Sequence, residues 1–332
     1  MARPSLVAAL LLPAAAACGP YSEVGQKLDV ATPIADGETF VAASGSEVRL
    51  LLLGSGGPGA PFVFTSFDLP YSAGRSVWSA AGTFAEDPAA GALTLTELHQ
   101  YTLPDERSVG LFSRRGAWRQ EVHLDVPLRE GRAPGRLAVA GDARFEGSYV
   151  ALTPALAGLG AATARDAACA FQLANLAVLS SQVRIIGFGG PGMTQYSAAT
   201  DYQGIVSGSL RVQVDGLFSS TTTITYRGFS DFGGVAIDGS QVIFADSSGD
   251  GHMEGAVAFA LQPAAPAGAA PPPPLQGEVR YGVAGGGGDS IRISGGSASG
   301  GLYDVSLQGG GVATVDPVSP PAPSVGACLG LP

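Results

Sequence analysis

The chain has 332 residues, of which 45% are hydrophobic and only 14% are charged, and this composition excludes a disordered chain because it supplies the apolar surface of a folded core. The formal net charge of −10 excludes a nucleic-acid partner, since phosphates require a basic surface. The 49 glycines and 24 prolines are typical of many short strands joined by tight turns.

The first 18 residues have the pattern of an export signal that ends at a cysteine. Arg3 provides a basic start, residues 6–12 are apolar, and residues 14–17 are the small residues that a signal peptidase accepts. The apolar stretch is shorter than the roughly 20 residues that a membrane-spanning helix needs. This arrangement resembles the lipobox of bacterial lipoproteins, with Ala15 where the usual lipobox has leucine.

The resemblance implies that residues 1–17 are removed and that Cys18 carries the lipid. Residues 18–25 would then form a tether, and the membrane would be a partner through the buried acyl chains. The expected location is the cell envelope. Gly19 favours the outer over the inner membrane, since Asp at that position is linked to inner-membrane retention in some lipoproteins.

After the tether, short segments bounded by Gly, Pro, Asp or Ser predict an antiparallel β domain over residues 26–152. The predicted strands are 26–32, 38–44, 47–53, 62–69, 76–84, 118–128, 136–140 and 145–152. The strand at 118–128 shows the clearest alternation, with Val122, Leu124 and Val126 on one face and Glu121 and His123 on the other.

Residues 153–200 are predicted to connect two β domains and to hold the dominant helix of the chain. Thr163 and Asp166 have the spacing of a capping box, and residues 165–181 follow without a wide polar face. We therefore expect this helix to be buried against a sheet. Residues 183–186 read as a strand that leads into a glycine-rich loop at 187–192.

A second antiparallel β domain is predicted over residues 201–332, and the two domains can pack as one unit. The predicted strands are 206–215, 221–229, 235–238, 241–245, 253–261, 278–283, 290–294, 303–307 and 312–315. The Ala- and Pro-rich run at 263–274 predicts an exposed loop. The fold class expected is mainly β, with antiparallel sandwich or barrel-like domains and one central buried helix.

Two patterns suggest metal ligands. Asp246, Ser248 and Asp250 resemble the opening of a Ca²⁺ loop, but Val257 stands where that loop needs a bidentate acid, so a hairpin turn is the alternative. No other cofactor is expected.

The second pattern pairs an acid with a histidine two residues later, at Glu97 and His99 and again at Glu121 and His123. In adjacent, registered strands these four could hold zinc or copper. The alternative is an ordinary solvent-facing surface, with a bulge near Glu97.

Lipidation of Cys18 would leave Cys169 and Cys328 as an even pair in an exported protein. An exported protein folds in an oxidising environment, and the number of remaining cysteines is even, so a disulfide between the two is favoured. The alternative is two buried thiols.

The sequence favours a non-enzymatic binding or structural role, because it lacks a recognisable catalytic constellation. The alternative is an extracytoplasmic enzyme that acts on glycans through two carboxylates. The patterns do not identify the protein or glycan partner.

Overall fold

A computed structural model describes residues 34, 36–45, 47–68, 78–102, 118–156, 164–186, 197–215, 220–245, 251–261, 275–281, 289–295, 303–308, 312–315 and 325–331. Cys18, the strand predicted at 26–32 and the loop predicted at 263–274 lie outside these residues. The described chain is mostly β, in one closed barrel and one nine-stranded sheet, and both are antiparallel.

Eight consecutive strands form the barrel, which closes where the first strand pairs with the eighth. They are β1 (Glu38–Ser44), β2 (Glu47–Leu53), β3 (Ala60–Asp68), β4 (Trp78–Asp87), β5 (Ala92–Thr102), β6 (Trp118–Ala133), β7 (Arg136–Ala140) and β8 (Gly147–Ala151). The end at which β1 turns into β2 and β5 ends is called the upper end. The end at which β1 begins and β4 turns into β5 is the lower end.

Apolar side chains that alternate along each strand fill the barrel interior. An eight-stranded barrel is just wide enough for such filling. The buried cluster includes Phe62, Phe64, Leu93, Phe145 and Tyr149. The Tyr149 hydroxyl donates to the Phe145 carbonyl oxygen at 2.6 Å, so this buried phenol is hydrogen-bonded. The barrel is therefore a packed core with polar groups at its ends.

The second sheet is a meander in which each strand pairs with the next. Its strands are β9 (Ser197–Gln203), β10 (Ser207–Asp215), β11 (Ser220–Ser230), β12 (Val235–Ala245), β13 (Gly251–Leu261), β14 (Leu275–Tyr281), β15 (Asp289–Gly295), β16 (Tyr303–Gln308) and β17 (Val312–Val315). Residues 235–238 and 241–245, predicted as two strands, belong to the single strand β12.

Three helices complete the described chain: α1 (Leu152–Leu156), α2 (Ala164–Ile186) and α3 (Val325–Cys328). The long helix α2 packs across β12, β13, β14, β16 and β17. Its buried residues include Leu173, Leu176 and Val178. The predicted central buried helix is confirmed. It continues through residues 183–186, so the strand predicted there is wrong.

A chain of hydrogen bonds joins α2 to the sheet inside this interface. The Ser181 hydroxyl donates to the Val178 carbonyl oxygen at 2.6 Å and lies 2.8 Å from the Tyr226 hydroxyl. Since Ser181 has one hydroxyl proton, Tyr226 donates to Ser181, and the Gln241 amide donates to Tyr226. Burial raises the pKa of Tyr226 and keeps the phenol neutral.

The predicted disulfide between Cys169 and Cys328 is present, with 5.3 Å between the two Cα atoms. It joins α2 to α3, which also contacts β1. Val325, Leu329 and Leu331 around Cys328 are buried. The C-terminal segment is therefore fixed between the barrel and the helix.

The barrel and the second sheet are in direct contact on the outer face of the barrel. Leu52 and Val63 pack with Ile34 and Ile205. The Ile34 amide donates to the Ile205 carbonyl oxygen at 2.6 Å. Where residues are described, no helix combines the length and apolarity needed to cross a membrane.

Candidate functional site

Both tryptophans of the chain stand at one level of the upper end of the barrel. Trp78 begins β4 and pairs with Thr102 on β5, and Thr102 pairs with Trp118, which begins β6. Trp78 is half-buried, and its ring lies 5.3 Å from that of Phe64 and 5.4 Å from that of Phe145. This end of the barrel therefore has an aromatic wall.

Leu124 is the one large hydrophobic residue of the described chain that is exposed, at 48%. It alternates with Val126 and Leu128, which are buried in the barrel, so it lies on the same inner face of β6. Its partner across the ladder is Glu97. An exposed leucine on the inner face indicates that the barrel wall is open to solvent at this level.

Glu97 is fully buried and carries its carboxylate inside the barrel. The Arg144 guanidinium pairs with it, with 3.1 Å between Nη1 and Oε1, and the Gln100 amide donates to Oε2. The same guanidinium lies over two rings, 5.2 Å from the Trp78 centroid and 5.3 Å from the Phe145 centroid. A buried acid is thus neutralised by a cation that reaches in from the connection between β7 and β8.

Hydrogen bonds within the connection at residues 141–146 hold Arg144 in position. The Asp142 carboxylate accepts from the Arg144 backbone amide at 2.9 Å and from its guanidinium, with 2.7 Å between Nη2 and Oδ2. The amides of Phe145 and Glu146 donate to the Asp142 carbonyl oxygen. The Arg49 guanidinium donates to the Glu146 carbonyl oxygen. The connection is therefore fixed both to itself and to β2.

These contacts shift the pKa values of the groups involved. The hydrogen bond from Arg144 lowers the pKa of Asp142, and the hydrogen bond to Asp142 raises the pKa of Arg144. On β2, the hydrogen bond from Arg49 lowers the pKa of Glu47. These acids and arginines are therefore ionised together at neutral pH.

We call Trp78, Glu97, Gln100, Leu124 and Arg144 together the mouth of the barrel. They combine an apolar wall with a charged floor, which is the usual composition of a small-ligand site.

A bulge in β5 creates the floor of the mouth. The ladder slips between Glu97 and His99, so Leu98 is the extra residue, and Gly82 stands opposite Glu97. A Cβ atom at Gly82 would lie 1.9 Å from the Thr96 carbonyl oxygen, so only glycine allows this approach. Glu97 continues the inward alternation of Leu93 and Leu95, and the bulge at Leu98 puts His99 on the opposite face.

The lower end holds a second charged cluster. Arg132 pairs with Glu86 and with Glu130, with 3.3 Å between Arg132 Nε and Glu130 Oε2, and its guanidinium lies 5.6 Å from the Phe40 ring centroid. Glu130 Oε1 is buried and has no hydrogen-bond partner among the described residues. Burial and the negative charge of Glu86 raise the pKa of Glu130.

The predicted zinc or copper ligands are not brought together as a set. Strands β5 and β6 are adjacent, and His99 pairs with Glu121, as that prediction required. However, Glu97 points inward like Leu93 and Leu95, and the bulge at Leu98 puts His99 on the other face, although the two lie only two residues apart. His123 is exposed. No group of three or more His, Cys, Asp or Glu residues in the described ranges is placed to hold a metal ion.

The predicted Ca²⁺ ligands Asp246, Ser248 and Asp250 lie outside the described residues, and so does the predicted lipidation site Cys18. The strands on either side of 246–250 form an antiparallel pair in which Ala245 is opposite Gly251. The Ca²⁺ site stays a prediction.

Sequence reasoning missed the mouth as a site. The signals available were the two tryptophans, which stand at the start of strands, and the adjacent Arg144 and Phe145 in a turn. Neither signal shows which strands, distant in sequence, lie next to these residues in the barrel. The only member singled out from the sequence was Glu97, and it was assigned to the wrong face.

Comparison with protein-family models, with curated proteins and with solved structures gave no match.

Proposed function

We propose that this protein is an exported, lipid-anchored protein of the cell envelope or surface with a non-enzymatic binding role, and that its ligand binds at the mouth of the barrel. The observation that carries the binding role is the exposed Leu124 on the inner face of β6, directly across the ladder from Glu97. The Glu97 carboxylate pairs with the Arg144 guanidinium, which lies over the Trp78 ring. Apolar surface beside a few fixed polar groups gives a ligand both affinity and orientation.

The direction of the chain supports this arrangement. Ile34 is the first described residue, and β1 then starts at the lower end of the barrel with Glu38. A lipid on Cys18 would therefore tether the protein at the end opposite the mouth. The mouth would face away from the point of attachment.

The two fully buried acids of the barrel, Glu97 and Glu130, are too far apart to act together on one glycosidic bond. Glu130 lies six residues along β6 from Leu124, the partner of Glu97, which places the two buried acids about 20 Å apart. Glycosidase carboxylates lie roughly 5 to 9.5 Å apart. Two pairs of acids are closer, Glu86 with Glu130 and Glu97 with Asp142, but each pair shares one arginine, Arg132 or Arg144. The glycan-enzyme alternative stays a prediction.

The test of the binding role uses benzamide, a small neutral molecule with an apolar ring. Because the Trp78 ring lies 5.2 Å from the Arg144 guanidinium, tryptophan fluorescence, excited selectively, reports on the mouth. We expect a saturable change on titration of the full chain in non-ionic detergent. Leu124→Asn should weaken the apparent affinity about tenfold, since burying a leucine contributes about 1.5 kcal/mol.

Glu130→Gln is the control, because it changes a barrel acid at the opposite end and should leave the affinity unchanged. A non-saturable signal, or equal affinities in Leu124→Asn and the wild-type chain, would remove the mouth as the binding site.

A further inference from the structure

The charges around the mouth do not cancel. Two carboxylates, those of Glu97 and Asp142, face the single guanidinium of Arg144. Glu47 and Arg49, two further charged residues described at this end of the barrel, pair with each other at 2.8 Å and add no net charge. The mouth together with Asp142 therefore has two acids for one arginine among the described residues, in a chain whose formal net charge is −10.

The aromatic side chains already accommodate a planar cation. The Arg144 guanidinium lies within 5.5 Å of the centroids of Trp78 and Phe145, at 5.2 and 5.3 Å. This distance is in the range of favourable cation–π contacts. An anion at the same place would meet the negative faces of both rings and two carboxylates.

The charged groups can be reached from solvent. The Arg144 side chain is 34% exposed and that of Asp142 is 24% exposed, whereas Glu97 is fully buried beneath them. An incoming cation can therefore contact Asp142 directly, or replace the Arg144 guanidinium over the rings and reach Glu97.

We propose that the mouth binds an organic cation of the amidinium or guanidinium type that carries an apolar body. The cation would pair with Asp142 and Glu97 and stack on Trp78, and the apolar body would contact Leu124. This inference rests on the proposed binding role and specifies the chemical class of the ligand.

The experiment compares three probes of equal size that differ in charge: benzamidine, benzamide and benzoate, which are cationic, neutral and anionic. Tryptophan fluorescence of the full chain gives the affinity for each. We expect benzamidine to bind about tenfold more tightly than benzamide, because one charge-assisted hydrogen bond provides a gain of about that size. Benzoate should bind most weakly of the three. Added salt should lower the affinity for benzamidine but leave the affinity for benzamide unchanged.

Two variants locate the source of the preference. Asp142→Asn and Glu97→Gln should each bring the affinity for benzamidine close to that for benzamide. Asp142 is on an exposed connection, so Asp142→Asn tests the preference by itself if Glu97→Gln does not fold. Glu130→Gln at the lower end is the matched control and should keep the preference.

The outcomes separate the two proposals. If benzamide or benzoate binds as tightly as benzamidine, the cationic ligand is wrong and the binding role stands. If the preference for benzamidine persists in Asp142→Asn, the charges of the mouth do not cause it and the inference is also wrong. If none of the three probes binds, both proposals fail.

Discussion

Individual acids in the barrel have opposite electrostatic surroundings, depending on the end at which they lie. Glu130 at the lower end has a 1% exposed side chain, a second acid beside it and an arginine at 3.3 Å. Glu47 at the upper end accepts hydrogen bonds from Arg49 and Ser66. Burial raises the pKa of Glu130, and the Arg49 hydrogen bond lowers the pKa of Glu47.

These shifts predict opposite pH dependences of stability. A raised pKa in the folded state means that the contribution of Glu130 is complete below its unfolded pKa and is lost as the pH rises through its folded pKa. Between pH 4 and pH 7 we therefore expect the urea midpoint of Glu130→Gln to rise relative to that of the wild-type chain.

For Glu47 the sign is reversed. Its lowered pKa contributes stability that is present above its unfolded pKa and is lost as the pH falls through its folded pKa. Glu47→Gln should therefore lose stability relative to the wild-type chain between pH 4 and pH 7. Parallel curves for the two variants would contradict the assigned surroundings.

At the scale of elements, helices α2 and α3 are joined by one covalent bond and few other contacts. The disulfide links residues 159 apart in sequence. The Arg165 guanidinium also donates to the Ala327 carbonyl oxygen at 3.3 Å. The bond constrains a long loop in the unfolded chain, and this constraint is its main contribution to stability.

We expect the double variant Cys169→Ser, Cys328→Ser to lose up to about 5 kcal/mol of unfolding free energy, the chain-entropy value for a loop of this length. Urea unfolding measures the loss, and the wild-type chain under reductant should match the variant. Arg165→Ala removes only the non-covalent contact and should cost much less. An unchanged midpoint under reductant would show that the bond does not stabilise the fold.

Local sequence patterns were sufficient to predict some strands and helices but not others. Strands β1 and β2 match the predicted residues because alternating apolar positions and turn residues mark their ends. The β-branched residues Val183, Ile185 and Ile186 favoured a strand, yet α2 runs through them. Helix continuation there shows that tertiary context overrides a weak intrinsic preference.

At the scale of the whole molecule, the proposed lipid anchor would be attached to the chain ahead of β1, which begins at the end of the barrel opposite the mouth. The segment between Cys18 and Ile34 can span at most about 55 Å when fully extended. A protein held by this tether would stay close to the membrane with the mouth directed away from its attachment point.

Cys18→Ala should abolish lipidation and move the protein out of the membrane fraction, because the acyl chains supply the membrane affinity. Fractionation followed by immunodetection measures this shift, and Cys328→Ser serves as a cysteine control that should remain in the membrane fraction. Normal processing and equal membrane association of the Cys18→Ala protein would refute the lipid anchor.

The sequence by itself determined the β content, most strand positions and the start of the long helix, because alternation and capping are properties of short segments. It favoured the Cys169–Cys328 pairing from a count of cysteines, and the structure decided between the disulfide and two free thiols. Only the tertiary structure decided that β1 meets β8, that the bulge at Leu98 puts Glu97 and His99 on opposite faces, and that Arg144 reaches Glu97. Those features depend on register between strands far apart in the chain. Packing of the filled interior sets that register, and no local pattern encodes it.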